Sequence, residues 1–395
     1  MFKIVSRVGV AGLVLAVLSA VFVVPVGAQE LVRDTQVTSL ARVVEVLDQE
    51  QRRIPGTEVK GDYQTIKVLI LDGEEKGKEV TVENDYLQLK KGDKFYLVHT
   101  VNNLEGRDYY SVSEPYRLPV VYTMIALFLL AVLLFGGVQG VRGLASLIGS
   151  FLLIYFVLFP SIMSGYSPVL VSLGVSSLII ILGSYITHGF TKTTTSAVIG
   201  MVLTILVTGA MAHFVVDWAD LSGYSADEAT YLHFNSRGSI DFVGLLLGGI
   251  LIGLLGVLYD AAIGQAISVE ELNRAGGDLS RRYIFKRAMR MGREHIGALV
   301  NTLAIAYVGA SLPLLLLFYS SASSFTLSLN HEIFATEIIR TMIGSIGLIL
   351  TVPVTSIVAV MLLVRKGNKR DSPSLETEKI LLEHGGHGTH AGHHH

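Results

Sequence analysis

The 395-residue chain is 51% hydrophobic and 16% charged, carries a formal net charge of -2, and contains no cysteine. A soluble domain holds roughly a quarter charged residues, so this balance, with a mean hydropathy of +0.54, points to lipid as solvent. It excludes nucleic acid as a general partner, along with disulfides, thiolate metal sites and a cysteine nucleophile.

Lys3 and Arg7 precede an apolar run over 8–24, followed by Pro25 and Val26-Gly27-Ala28. That order predicts a signal peptide cut after Ala28, or an uncleaved anchor, over residues 1–28. Either version sends residue 29 onward across a membrane. Residues 29–118 are charged and turn-rich, with alternating segments at Val44–Glu45–Val46, 66–70, 80–82 and 95–98. About five short strands are expected, forming a small extracytoplasmic β-barrel, OB-like or SH3-like, that hides its edges by curling. Tyr96, Tyr109 and Tyr110 fit its core or rim better than a stacking platform.

From Pro119 the pattern predicts an α-helical membrane bundle over 119–365. Its spans lie near 119–138, 144–163, 168–187, 195–215, 241–263, 296–318 and 340–364, about seven transmembrane helices of roughly 20 apolar residues each. With residue 119 outside, the inner loops hold Arg142, Lys192, Arg274, Arg281, Arg282, Lys286, Arg287, Arg290 and Arg293, while the outer loops hold Arg237, with Arg340 at a span edge. This asymmetry obeys the positive-inside rule and agrees with the N-terminal signal. The outer loop 216–240 is acidic, with a helix start at Asp227-Glu228. The inner loop 264–295 holds an amphipathic segment. Ile284, Phe285, Ala288, Met289 and Met291 share a face, with Arg282, Lys286, Arg290 and Arg293 off it. Such a helix is expected to lie along the inner surface against anionic lipid.

The fifth span carries Gly249, Gly253, Gly256, Asp260 and Gly264 on one helical stripe. Glycines so spaced predict another helix packed backbone to backbone. Asp260 falls about one turn from the predicted end of the span. An intramembrane carboxylate is costly and faces protein or water where it has a use, as proton relays do; packing or snorkelling is the alternative. Asn301 in the sixth span and Thr351 in the seventh are its candidate neighbours. Pro353 frees the carbonyl of Ile349, which only protein or a wet cavity can serve. His188 sits in a short inner turn and suits capping. His213 and Asp217, one turn apart, have the spacing of a two-ligand metal site. The tail 366–395 is rich in histidine; His387 and His390 are its metal-ligand candidates. No cofactor is otherwise expected, and no motif makes the chain an enzyme. There is no Walker A segment, no Gly-x-Gly-Asp partner for Tyr259-Asp260, and Gly309-Ala310-Ser311-Leu312 lacks the last glycine of a rhomboid motif.

Several stretches resemble the YibE/F-like family of bacterial membrane proteins. They are Ala41-Arg42-Val43-Val44, the 76–84 segment, Tyr116-Arg117-Leu118-Pro119, Thr187-His188-Gly189-Phe190, Leu221-Ser222-Gly223, Tyr259-Asp260-Ala261-Ala262-Ile263, Asn301-Thr302-Leu303, the 309–313 segment and Gly344-Ser345-Ile346-Gly347. The resemblance covers residues 36 to about 360 and implies a multi-pass protein of the bacterial plasma membrane, with no site residues to carry over. Locally, residues 256–272 are similar to the carboxylate helix of resistance–nodulation–division transporters, which implies proton coupling. The expectation is therefore a secondary transporter or export component. The other reading is an envelope scaffold or receptor that binds a protein partner through its β-domain. Its partners would be the bilayer, an envelope protein or a second copy of itself.

Overall fold

The computed structural model describes residues 35–53, 60–85, 87–102, 107–225, 227–236, 240–275, 279–320 and 324–365. The expected signal or anchor (1–28) and the His-rich tail, with His387 and His390, lie outside the described residues. The chain forms two compact units that divide between residues 135 and 136.

In the first unit, β1 (Thr35–Arg53), β2 (Lys60–Ile70), β3 (Glu79–Asn84), β4 (Lys94–Asn102) and β5 (Arg107–Pro115) pair antiparallel in the order β3-β2-β1-β4-β5. The long β1 is paired on both sides. Its register shifts at Val43/Glu45 and Val46/Asp48 are bulges, which bend a strand and raise its twist. The sheet curves into a half-barrel whose edges β3 and β5 approach without pairing. Period-2 alternation turns Ala41, Val43, Ile66, Val68, Ile70, Val82, Phe95 and Leu97 inward. A buried amide pair closes the connection after β3. Gln64 Oε1 accepts from Asn84 Nδ2 (3.2 Å) and the Leu89 backbone N–H (2.9 Å), and Gln64 Nε2 donates to the Leu89 carbonyl (3.1 Å). Of the three tyrosines, Tyr110 stacks on His99 at 4.4 Å, Tyr96 meets Tyr116 edge-on, and Tyr109 is exposed.

The helices are α1 (Leu118–Leu153), continued through a π-helical turn into α2 (Phe159–Met163), then α3 (Pro168–His188), α4 (Lys192–Trp218), α5 (Asp227–Asn235), α6 (Phe242–Ala275), α7 (Arg281–Ala310), α8 (Leu312–Ser320), α9 (Phe325–Asn330) and α10 (Glu332–Leu363). Among the described residues five are long and apolar enough to cross a membrane, or six if α7 and α8, bent by 67°, count as one broken span. The first of these runs 46 residues to Met163 and is interrupted at Gly137, where φ is 51°. Gly189, at φ 74°, ends α3. The Thr191 hydroxyl then caps α4 by accepting from the Thr194 backbone N–H at 3.0 Å.

The buried centre of the second unit is α6 between α4 and α10, filled by Met201, Ile205, Leu247, Leu251, Leu254 and Leu258. Close approach is by glycine against threonine. A Cβ on Gly200 would lie 2.9 Å from the Thr355 Cα, and one on Gly347 would lie 2.8 Å from the Thr208 hydroxyl. Gly344 and Gly347, with Thr351 and Thr355, share one buried face of α10. Small residues thus do join helices here, on α4 and α10 and where Gly244 and Gly248 of α6 approach Pro168 and Ser172 of α3.

Two expectations are corrected. The amphipathic segment is no separate surface helix. It is the first half of α7, continuous with the apolar half, and packs Ile284, Ala288 and Gly292 inward. A capping serine, Ser280, and the absence of any breaker before Ser311 let one helix run the whole length. The stripe on α6 is not packed backbone to backbone: a Cβ on Gly249, Gly256 or Gly264 would meet nothing within 4 Å, and one on Gly253 would meet only the Tyr307 hydroxyl of α7. The leucines at 247, 251, 254 and 258 present a larger apolar area on the opposite face, and burial follows area.

Candidate functional site around Asp260

Asp260 lies away from both ends of α6, on an exposed side of the helix. Beyond it the helix continues to Ala275, roughly 20 Å at 1.5 Å per residue. Glu270, roughly 15 Å further along, accepts from the hydroxyl of Thr193 in the first turn of α4. The expectation of a loop from residue 264 is therefore corrected, since the helix runs on to Ala275. The cause is the polar run 265–275, which reads as loop but folds as helix because Glu270 pairs with Thr193 and Arg274 and Asn273 donates to the Leu363 carbonyl.

A cavity of about 230 Å³ lies where α6, α7 and α10 meet. Its polar lining is Asp260, Gln265 and His295; Ala261, Leu299 and Val352 form the apolar wall, and Gly264 and Ala298 keep it open. Gln265 is fixed, donating through Nε2 to the Ala288 carbonyl (2.9 Å) and to the Ser356 hydroxyl (2.7 Å). Ser356 in turn donates to the Val352 carbonyl at 2.7 Å. Asp260 differs. Its carboxylate has no hydrogen bond or ion pair among the described residues, and its side chain is uncovered on the cavity side. A fixed amide, an imidazole and an uncommitted carboxylate around one opening can bind a proton or a small hydrated cation.

The sequence-predicted neighbours are elsewhere. Thr351 is fully buried and donates to the Gly347 carbonyl at 2.9 Å, a packing role. Asn301 is on the uncovered side of α7, and neither residue lines the cavity. His188 packs its ring against Tyr259 at 5.9 Å, and the Tyr259 hydroxyl lies 3.4 Å from the Gly183 carbonyl to which it donates, tying α6 to the end of α3. His213 and Asp217 are both exposed, and no group of three or more His, Asp or Glu among the described residues is arranged to hold a metal ion. Gln265 and His295 were missed by sequence reasoning. Gln265 carried a signal, since a polar residue about one turn from Asp260 in an apolar helix needs a partner; His295 was hidden at the end of the basic stretch.

A second carboxylate anchors the opposite end of the bundle. Glu332, first residue of α10, accepts from the Ser222 backbone N–H (2.8 Å), the Ser222 hydroxyl (2.8 Å) and the Gly223 backbone N–H (3.1 Å). Gly223 must be glycine: its φ is 80°, and a Cβ there would strike the Phe242 backbone. Next to this end, Glu337 pairs with Arg340 at 3.0 Å and accepts from Ser311, the residue at the α7–α8 bend, at 3.3 Å.

Long apolar helices packed through small residues define a polytopic membrane protein. The chain belongs to the YibE/F-like family: the model described as YibE/F-like protein matches residues 124–365, more than half of the chain. The match takes in the helices from within α1 to the end of α10 and leaves the sheet outside. Neither a curated protein nor a solved structure matches the chain.

Proposed function

We propose that the protein is a secondary transporter or export component of the bacterial plasma membrane, with Asp260 as its proton-carrying carboxylate. One observation carries this reading: an unpaired carboxylate, well away from either end of its helix, opens on a cavity walled by three packed helices. A charge in that position is expensive unless it has a use. Gln265 orients the bound species, and His295 lines the cavity beside it. The break at Gly137 makes two crossings of the first helical run, and the bent α7–α8 pair makes one, which gives seven. The half-barrel is read as OB-like or SH3-like and outside the membrane, and the positive-inside rule supports a cytoplasmic α3–α4 turn.

The test is complementation of a deletion strain challenged with zinc, nickel and cobalt salts and a drug panel at acid and alkaline external pH. Asp260→Asn, present at wild-type level in the membrane, is expected to lose complementation and its pH dependence. Full complementation by that variant sinks the proposal. The scaffold reading draws on the self-contained core of the β-unit; it expects Asp260→Asn to be silent and removal of 36–115 to abolish function.

A further inference from the structure

The exposed basic face of α7 is not part of the Asp260 site. Arg282, Lys286, Arg290 and Arg293, spaced by four, four and three residues, fall on one face of that helix and are all exposed. None makes an ion pair among the described residues. By contrast, Arg274 pairs with Glu270 and Glu271, and Arg287 bonds the Tyr283 hydroxyl at 3.0 Å on a neighbouring face. Glu294, one turn beyond Arg290, is exposed and forms no ion pair with any of the four.

The level of this stripe makes it more than a solvated surface. The Arg281 guanidinium donates to the Val364 carbonyl at 2.8 and 2.7 Å and to the Met361 carbonyl at 3.2 Å. Further along, Gln265 joins the Ala288 carbonyl to Ser356, and Gly292 packs on Val352. Residues 281–292 therefore run antiparallel beside 352–364 of α10. On that same level α10 presents Ile357, Met361 and Leu362 outward, at 44%, 63% and 45% exposure. Apolar side chains directed outward on a membrane helix face acyl chains. Four cations at the depth of acyl chains need anions at the leaflet surface, which long side chains reach by snorkelling.

We infer that the Arg282–Lys286–Arg290–Arg293 face seats the headgroups of anionic phospholipids, whose acyl chains lie along Ile357, Met361 and Leu362. The phosphodiester supplies the missing counter-charge, and each Lys or Arg near such a surface contributes about 1 kcal/mol.

The full-length protein is to be reconstituted in nanodiscs of phosphatidylcholine alone and of an equal phosphatidylcholine–phosphatidylglycerol mixture. Retained lipid is counted by native mass spectrometry, with the thermal midpoint as a second readout. Wild type is expected to retain phosphatidylglycerol preferentially and to melt higher in the mixture. Each single change to Gln on the stripe should lower the preference about fivefold, and the fourfold variant should bring it to parity. Arg287→Gln, off the stripe, and the charge-keeping pair Arg290→Lys and Arg293→Lys should retain it, which separates charge from folding. Equal retention of both lipids by wild type overturns the inference, as does an undiminished preference in the fourfold variant. So does a preference that arises only on removing residues 366–395, because that would make the chain's own tail the occupant.

Discussion

Two carboxylates at different places in the helical unit are treated in opposite ways. Glu332 spends both its oxygens on Ser222 and Gly223, tying the segment after α4 to the start of α10. Asp260 spends neither and faces a cavity. Glu270 and Glu337 are held by Arg274 and Arg340 in the manner of Glu332. Glu332, Glu270 and Glu337 are committed to partners, whereas the unpaired Asp260 carboxylate lines a cavity; Asp217 and Glu294 also lack partners among the described residues but lie exposed outside it. The contrast separates function from architecture more sharply than residue type does, since all are acids on apolar helices.

The largest effect should come from Asp260. Asp260→Asn keeps the volume and removes the ionisable group, so transport-linked activity is expected to fall by about 100-fold, equivalent to roughly 2.7 kcal/mol. The melting temperature of purified protein should stay within experimental scatter, because no native bond is lost. A clear drop in melting temperature with activity intact would place Asp260 among the structural acids and dissolve the contrast.

Glu332→Ala tests the other side. It strips two backbone donors and a hydroxyl of their charged acceptor, and hydrogen bonds to charged groups are worth roughly 1.5–3 kcal/mol when buried. Partial exposure of Ser222 reduces that to about 2 kcal/mol in total. Thermal unfolding of the full chain should shift down, with hydrogen exchange rising first over 221–225. Specific activity per folded molecule should be unchanged; loss of activity without loss of stability contradicts the assignment.

The glycines repeat the contrast on a smaller scale. Gly200→Ala places a methyl against the Thr355 backbone, and overpacking of this kind costs about 1–3 kcal/mol. Gly256→Ala meets open space and should change stability by less than about 0.5 kcal/mol. Paired melts of the two variants measure the difference; equal losses would mean that something outside this chain covers the α6 stripe.

The membrane class, the presence of long apolar helices and the strand segments at 44–46, 66–70 and 95–98 were legible in the sequence because each is a period or a length. What lay beyond it was which face of α6 is covered. Glycines and leucines occupy opposite faces of that helix, and the rule that small residues mark contacts competes with the rule that apolar area seeks burial. Leu247, Leu251, Leu254 and Leu258 decided it. Gln265 and His295 join Asp260 only once α7 is known to continue unbroken through its basic half, a fact about tertiary packing. Asn301 and Thr351 were chosen by helical period on their own spans, and period fixes a face but not the neighbour opposite.

The smallest effect lies in the β-unit, where an acid is committed more loosely. Glu75, between β2 and β3, accepts from Lys78 at 2.6 Å and from the Tyr110 hydroxyl at 2.8 Å, and lies 3.4 Å from His99. The Lys78 ammonium bonded to it holds its carboxyl below the usual range, and burial opposes that shift. The same bond raises the Lys78 ammonium, and burial pushes the Tyr110 phenol up. A depressed folded-state carboxyl contributes stability above its unfolded value and loses that contribution as pH falls through the folded value. The connection 71–78 should therefore loosen in acid, by less than about 1 kcal/mol given its partial exposure. Hydrogen exchange over 71–78, corrected for intrinsic rates, should rise between neutral pH and the acid side of the carboxyl range. In Glu75→Gln the loop should already be loosened at neutral pH and respond little further, because the group that titrates is gone. An acid response that survives in Glu75→Gln would show that Glu75 is not the group that sets it.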